Sequence, residues 1–502
     1  MKQFFKKSVL ALAVSIAGVS IAQACTTIVV GPEASEDGSI FIARDADGGA
    51  LKAQHMLFHP AVKNQTGIHS SKAHNGANDF KYPLPANGFS YTTAPNWKTQ
   101  LHGATGFNSE GVGVSGTESI YARDDALKLD PYNTKEGITE DDILDVVLPR
   151  ARSAKEGAEI LGSIVDKIGA GEGFGVAFID PKEAWYLETA TGHRWMAVRI
   201  PADSYFASAN QGRLQQYKEN DPNYIGSKDL ISWAQKNGFY DPKTDGEFNF
   251  SKAYTRDDRR DRTYNDPRVW QIQKLLTPTI NQNVQEGRKF PVFSQPTKKV
   301  TLGDLKEALR NHYNTGDVAS HDPYTCGLRP DEPFRPIGIF RTYESHVMQI
   351  RPNLPKEIGA ITYLAMGMPT LSVYVPFYQG FKKYPAAYGK GTDKADNDSA
   401  YWKFRKVQTI AMTDFPKLAL IVQKRYSEYE ADAAEKMKNF EQAYLKTVKS
   451  DPSKADKMLQ EFNEKLILSA LNMADELQNE LMTIRTGDID KLMYFPNVNK
   501  QD

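Results

Sequence analysis

The chain has 502 residues, with Lys plus Arg and Asp plus Glu balanced at 62 each. That neutrality excludes a polybasic nucleic-acid or membrane-surface binder and an acidic coat. Apolar residues make up 40%, with 24 Tyr and 24 Phe, so a large core is expected rather than disorder, and two cysteines cannot staple a chain of this length.

Residues 1–24 read as a secretory signal peptide. Lys2, Lys6 and Lys7 form a basic start, Val9 to Ile21 an apolar stretch, and Ala22-Gln23-Ala24 a small-residue cleavage site. Cutting after Ala24 makes Cys25 the new N-terminus, carrying a thiol and a free α-amine together. An α-amine titrates near roughly 7.7–8.0 and can serve the thiol as a base. Removal of the leader would then also activate an enzyme. Two other roles for Cys25 compete. Lipoprotein signals also end before a Cys, but they favour Leu three positions earlier, where this chain has Ala22. A disulfide to Cys326 would consume the exposed thiol; otherwise Cys326 reads as a small buried hydrophobe. The expected location is periplasmic or secreted. No later window approaches the roughly 18 apolar residues of a membrane span, so no membrane association of the mature form is expected.

Thr26–Val30 and Ile40–Arg44 are β-branched or apolar runs around the turn sequence Glu36-Asp37-Gly38-Ser39. They predict a hairpin whose first strand starts at Cys25. Further strands are predicted at Gly111–Gly116, Gly175–Ile179, Ala184–Glu188, Arg194–Ile200 and Tyr205–Ala209. Helices are predicted to open at Thr139, stopping at Pro149, and at Ser153, where Ser153-Ala154-Lys155-Glu156 is a capping box. The polar stretch 240–270, with Arg256-Asp257-Asp258-Arg259-Arg260-Asp261-Arg262, reads as a solvated loop. A helix opens at Thr301. Strands resume at Pro336–Phe340, Val347–Arg351, Ala360–Ala365 and Ser372–Val375. Two long helices, about 403–449 and 453–485, follow a loop at Gly389–Asp398. The predicted organisation is a leader at 1–24, a catalytic body at 25–400, and a helical region at 401–502 packed on it. Strands grouped before and after paired helices indicate a layered α+β body.

If the first two strands pair, Arg44 and Asp47 return beside Cys25. A guanidinium there favours the thiolate, and a carboxylate can hold the α-amine or a substrate amine; the plain alternative is a charged turn. His55 and His59 lack an HExxH context, and the loop starting at Asp45 has Met56 where a calcium site needs a carboxylate. No metal or other cofactor is expected. No GxSxG or Walker A motif appears, and no GxGxxG stands in the strand-to-helix context of a dinucleotide site. His346, just before a predicted strand, is a candidate for the site.

Cys25-Thr26-Thr27-Ile28-Val29-Val30-Gly31, Ala34-Ser35-x-Asp37-Gly38-Ser39 and Ala43-Arg44-Asp45-x-Asp47 resemble the N-terminus of the C69 dipeptidases, N-terminal-nucleophile (Ntn) hydrolases. Further matches lie at Gly111–Ser119, Glu183–Glu188 with Thr191-Gly192, Ser208-Ala209-Asn210-Gln211, Ser345-His346-Val347 and Tyr374–Gly380. The resemblance spans about 25–380. It implies a four-layer αββα sandwich, here with a C-terminal helical hairpin, and metal-free peptide-bond hydrolysis. The related choloylglycine and penicillin V acylases place an Arg-x-x-Asp pair beside the nucleophile, matching Arg44 and Asp47. Their oxyanion asparagine matches Asn210. A second asparagine falls near Glu118 and a late arginine near His346; both are departures, and both positions are assigned to substrate binding. The expectation is an exported Cys25-nucleophile dipeptidase working through a thioester, with small peptides as substrates. Assembly into a homo-oligomer stays open. The alternatives are an N-acyl amide hydrolase of the acylase type, or a lipid-anchored binding protein acylated at Cys25.

Overall fold

The computed structural model describes residues 25–98, 103–314, 316–324 and 334–494. The leader and Cys326 lie outside the described residues. In chain order the strands of the body are β1 (Thr26–Val30), β2 (Ile40–Asp47), β3 (Thr105–Phe107), β4 (Gly113–Ser119), β5 (Phe174–Ile179), β6 (Ala184–Thr189), β7 (Trp195–Arg199), β8 (Tyr205–Ser208), β9 (Tyr224–Gly226), β10 (Phe293–Ser294), β11 (Thr342–Ile350), β12 (Ala360–Met366) and β13 (Val375–Tyr378). They form two antiparallel sheets, ordered β10-β8-β1-β2-β11-β12-β13 and β9-β7-β6-β5-β4-β3.

The period-2 alternation of β2 explains how the sheets stack. Ile40 and Ile42 point into the space between the sheets, with Val29, Phe206 and Met348, and meet Ala177, Tyr186, Met196 and Val198 of the second sheet. Phe41 and Ala43 point the other way, into a core shared with helices. That outer core holds α3 (Asp266–Leu276), α4 (Leu302–Arg310) and α5 (Ala400–Ala411). The opposite outer face carries α1 (Ile143–Val147) and α2 (Ala154–Lys167), packed on Val114, Val176, Phe178 and Leu187. The layers therefore run helix, sheet, sheet, helix. Both faces of each central strand are covered, which is why β1 and β2 are buried throughout.

Local sequence sets the element ends. The β1–β2 turn is fixed by Asp37, whose Oδ1 accepts the Ser39 N–H at 3.0 Å, and by Gly38 at φ 77°. Ser153 caps α2 by accepting the Glu156 N–H at 3.1 Å, while the Glu156 carboxylate reaches back to Arg152 N instead of the cap. Thr301 and Asp304 make a complete capping box on α4.

Three expectations need correction. Pro336–Phe340 is not a strand; β11 starts at Thr342. Pro336 has no N–H for a ladder, and Arg335 donates to the Pro336 carbonyl at 2.6 Å. Residues 240–270 are not one loop: they hold short helices at Phe250–Tyr254 and Asp261–Tyr264 and run into α3. The first long helix is broken near Pro416, whose ring cannot continue the α5 hydrogen-bond ladder; α6 (Phe415–Ser450) starts there.

After α6, Asp451 caps α7 (Pro452–Leu492) through the Lys454 N–H at 2.9 Å, with Pro452 in the first turn. Phe440 and Phe462 stack between the two helices at 4.1 Å. Asn463 of α7, fully buried, accepts the Tyr378 N–H at 2.9 Å and donates to the Pro376 carbonyl at 2.7 Å. The helical hairpin thus covers the β13 edge and satisfies its backbone.

Candidate active site

Cys25 immediately precedes β1, and the β1–β2 register of Thr26 opposite Asp45 and Thr27 opposite Arg44 brings it to the end of β2. It is a free, buried thiol. Arg44 Nη2 donates to Cys25 Sγ at 2.9 Å and to the Thr117 carbonyl at 2.6 Å. Burial pushes the thiol up to about 12; Arg44 pulls against this, while Glu118 and Asp47 add to it. The resting group is a neutral thiol that needs both a base and its arginine.

Arg44 is itself buried between carboxylates. Glu118 Oε1 lies 3.7 Å from its Nε and Glu344 Oε1 4.0 Å from its Nη1. Thr27 Oγ1 donates to Glu118 Oε1, and Glu118 Oε2 has no hydrogen-bond partner among the described residues. Burial pushes the Glu118 carboxyl up to about 7, against the pull of Arg44 and the Thr27 hydrogen bond. Asp47, three residues beyond Arg44 at the end of β2, accepts from Arg335 Nη2 and Thr342 Oγ1.

Asn210 follows β8, the other neighbour of β1. Its Oδ1 accepts from Arg268 Nη2 at 2.9 Å. Asn265 locks its backbone on both sides, accepting the Asn210 N–H at 3.2 Å and donating to the Asn210 carbonyl at 3.1 Å. Arg268 also donates through Nη1 to the Cys25 carbonyl at 2.5 Å and to Thr26 Oγ1 at 2.9 Å. Burial, joined by Arg335, brings the Arg268 guanidinium down to about 10. His346 lies on β11 opposite Arg44 and is fully buried. Its Nε2 meets Ser115 Oγ at 2.8 Å and its Nδ1 meets Glu344 Oε2 at 2.9 Å.

The model of peptidase family C69 matches residues 24–428. The chain belongs to that family. A "Probable dipeptidase" of Salmonella dublin is 52% identical over 77% of this chain and 88% of its own length. A "Probable dipeptidase" of Latilactobacillus sakei is 35% identical, covering 81% and 82%. A solved penicillin V acylase from Agrobacterium tumefaciens aligns with 68% of this chain and 82% of its own, at 11% identity and a TM-score of 0.31.

In this C69 peptidase the structure gathers Cys25, Arg44, Asp47, Glu118 and Asn210 at one end of the inter-sheet space. His346 sits deeper, behind Arg44. Sequence reasoning missed Arg268 and Asn265, because they follow a charged stretch that read as solvated. The signal was there: Asn265-Asp266-Pro267, then Val269, Ile272 and Leu276 at helical spacing, is a helix start with Pro in its first turn. It also missed a second acidic group. Thr117 Oγ1 donates to Glu140 Oε2 at 2.6 Å, and the Glu140 N–H donates to Glu172 Oε1 at 2.9 Å. Asp141 is pushed up to about 7 and Glu172 to about 8, chiefly by burial and then by the Glu140 charge. Lys52 opposes them, its Nζ 4.4 Å from the Tyr343 ring centre. In the sequence, Thr139-Glu140-Asp141-Asp142 signalled only a helix start.

Proposed function

We propose that this C69 peptidase is an exported dipeptidase with Cys25 as its nucleophile, activated when the leader is removed after Ala24. The observation that carries this reading is the 2.9 Å contact from Arg44 Nη2 to a thiol whose backbone stands at the very start of β1. A strand start is a rigid place for a terminal amine. Once freed, that amine takes the thiol proton, directly or through one water. The thiolate, paired with Arg44, attacks the peptide carbonyl carbon.

The Asn210 amide is fixed through its oxygen by Arg268, so its nitrogen is turned away from that guanidinium. We assign it to the oxyanion of the tetrahedral intermediate, where one such donor contributes about 2.7–4 kcal/mol. The C–N bond then breaks, and the α-ammonium of Cys25 returns its proton to the leaving amine. Water, giving its proton to the same α-amine, attacks the thioester and releases the acyl half as a carboxylate. Asp47 holds Arg335 and Thr342 in place at the end of β2 rather than facing a substrate amine.

The substrate class follows from charge. Glu118 Oε2 is a buried acceptor beside the nucleophile, and Glu140 stands behind it, accepting from Thr117 Oγ1. A substrate with a free α-ammonium satisfies Glu118; an N-acyl substrate leaves it desolvated and unpaired. We therefore favour unblocked dipeptides over N-acyl amides. The names of the relatives point the same way.

The test uses processed protein with its N-terminus checked by mass spectrometry, where a diacylglyceryl adduct on Cys25 would mean an anchored lipoprotein instead. Cys25→Ala is expected to abolish cleavage of unblocked dipeptides. Retained turnover in that variant, or faster cleavage of N-acetyl forms by the parent, would overturn the nucleophile or the substrate assignment respectively.

A further inference from the structure

Behind Arg44 lies a hydrogen-bonded line of three side chains: Ser115 of β4, then His346 and Glu344 of β11. The two residues of β11 are two positions apart and so share a face. His346 pairs in register with Arg44, and Glu344 with Ala46. Ser115 Oγ is 2.8 Å from His346 Nε2, and both oxygens of Glu344, at 3.1 and 2.9 Å, meet His346 Nδ1. The order Ser-His-Glu is that of a nucleophilic serine site. Here Ser115 is 1% exposed and the other two are fully buried; Cys25 is equally buried, and it is Cys25 Sγ, not Ser115 Oγ, that takes the Arg44 hydrogen bond. The line stands beside Arg44, the β2 residue that His346 faces across the strand pair.

Arg44 has one hydrogen-bonding nitrogen in use, Nη2, shared by Cys25 Sγ and the Thr117 carbonyl. Its Nε and Nη1 have no hydrogen-bond partner among the described residues, although a carboxylate stands near each. Glu118 is held off by Thr27. Glu344 is turned toward His346, whose Nδ1 lies within hydrogen-bond reach of both its oxygens. A carboxylate free to close on Arg44 in a two-point pair would be the thiolate's competitor for the same cation. With Nδ1–H given to Glu344, Nε2 is left to accept the Ser115 hydroxyl, so Ser115 holds the tautomer that keeps Glu344 engaged. Resting on the reading of Cys25 as the nucleophile, we infer that His346 is a positioning residue: it ties Glu344 back from Arg44 and so reserves the guanidinium for the Cys25 thiolate.

Other charged and titratable groups face this pair. They are Glu118 from β4, Tyr186 from β6, Asp45 and Asp47 from β2, Tyr343 from β11 and Arg268 from α3. None of them contacts Glu344 as His346 does, so the inference turns on a specific rescue. The probe is iodoacetamide, with alkylation of the Cys25 peptide of the processed enzyme followed by mass against pH. It reports thiolate formation and needs no substrate, so an error in the substrate class cannot produce or hide the result. His346→Leu is expected to slow alkylation at pH 7 by about tenfold, moving the thiol titration up by about one unit. His346→Leu with Glu344→Gln is expected to recover most of the rate, and His346→Asn, which keeps a donor toward Glu344, to stay near the parent. Should His346→Leu not fold, Glu344→Gln alone decides: it removes the competitor and is expected to match or exceed the parent. Parental reactivity in His346→Leu, a double variant no better than the single one, or slower alkylation in Glu344→Gln would each overturn the inference.

Discussion

Arg268 Nη1 donates to the backbone oxygen of Cys25 at 2.5 Å, although 243 positions separate the two residues. Through Nη2 the same guanidinium holds the Asn210 amide oxygen. One planar fork therefore sets the backbone of the proposed nucleophile and the proposed oxyanion donor in a common frame. An ammonium cannot span both contacts. Arg268→Lys is expected to lower kcat by about 100-fold, the usual effect of displacing reacting groups by an ångström, with a smaller change in KM. Steady-state kinetics on unblocked dipeptides check this; an unchanged kcat would remove Arg268 from the frame.

Asn463 tests how the helical hairpin is joined to the sheet. It pairs with both the N–H of Tyr378 and the carbonyl of Pro376, and it has no exposed surface. Asn463→Leu leaves two buried backbone groups of β13 without partners. Each costs about 1–3 kcal/mol, so denaturant unfolding is expected to show a loss of several kcal/mol. A loss under 1 kcal/mol would mean that the edge is held by packing alone.

The strands of both sheets were legible because they carry their pattern locally, in β-branched runs and turn residues, whereas the order of the layers came from the family resemblance and not from that pattern. The Cys25–Arg44 contact was legible for the same reason: a short hairpin converts spacing directly into distance. Arg268 was not, since its role depends on α3 crossing back over β1 and β8, which no local pattern encodes. His346 was noticed as a candidate but set against substrate. Pairing of β11 with β2 sets it beside Arg44, and only the stacking of the two sheets brings Ser115 of the other sheet to its ring. Pro336–Phe340 misled because its apolar residues suit a strand, while Pro336 and the Arg335 side chain take its backbone elsewhere.

Leader removal should act as a chemical switch. In unprocessed protein the nitrogen of Cys25 is an amide bound to Ala24 and cannot accept a proton. The thiol, which burial pushes up to about 12, is then left without its base. Replacing Ala22 and Ala24 by bulky residues to block cleavage is expected to give folded protein with no dipeptide hydrolysis. Trimming to Cys25 with an introduced protease site should restore it. Full activity in protein shown by mass to retain the leader would refute activation by processing.

Glu118 gives the sign of the pH dependence. Burial raises its carboxyl to about 7, so it carries a proton below that pH and a charge above it. A dipeptide amine stays protonated up to about 8, so the proposed ion pair is lost as pH falls through 7. KM for unblocked dipeptides is expected to rise below pH 7 by about tenfold per unit. The rise in kcat with pH, set by the α-amine of Cys25, is a separate limb. Glu118→Gln is expected to raise KM by about 100-fold at pH 7.5 and to abolish its dependence below pH 7 while leaving the kcat limb in place. Stability supplies an independent check. A carboxyl whose folded value lies above its unfolded one, about 4.3, opposes folding increasingly as pH climbs from there to 7. Relative to the parent, the Tm of Glu118→Gln should therefore be more favourable at pH 8 than at pH 4. If KM of the parent proves flat between pH 5.5 and 7 while this Tm difference appears, Glu118 titrates as described but does not hold the substrate amine.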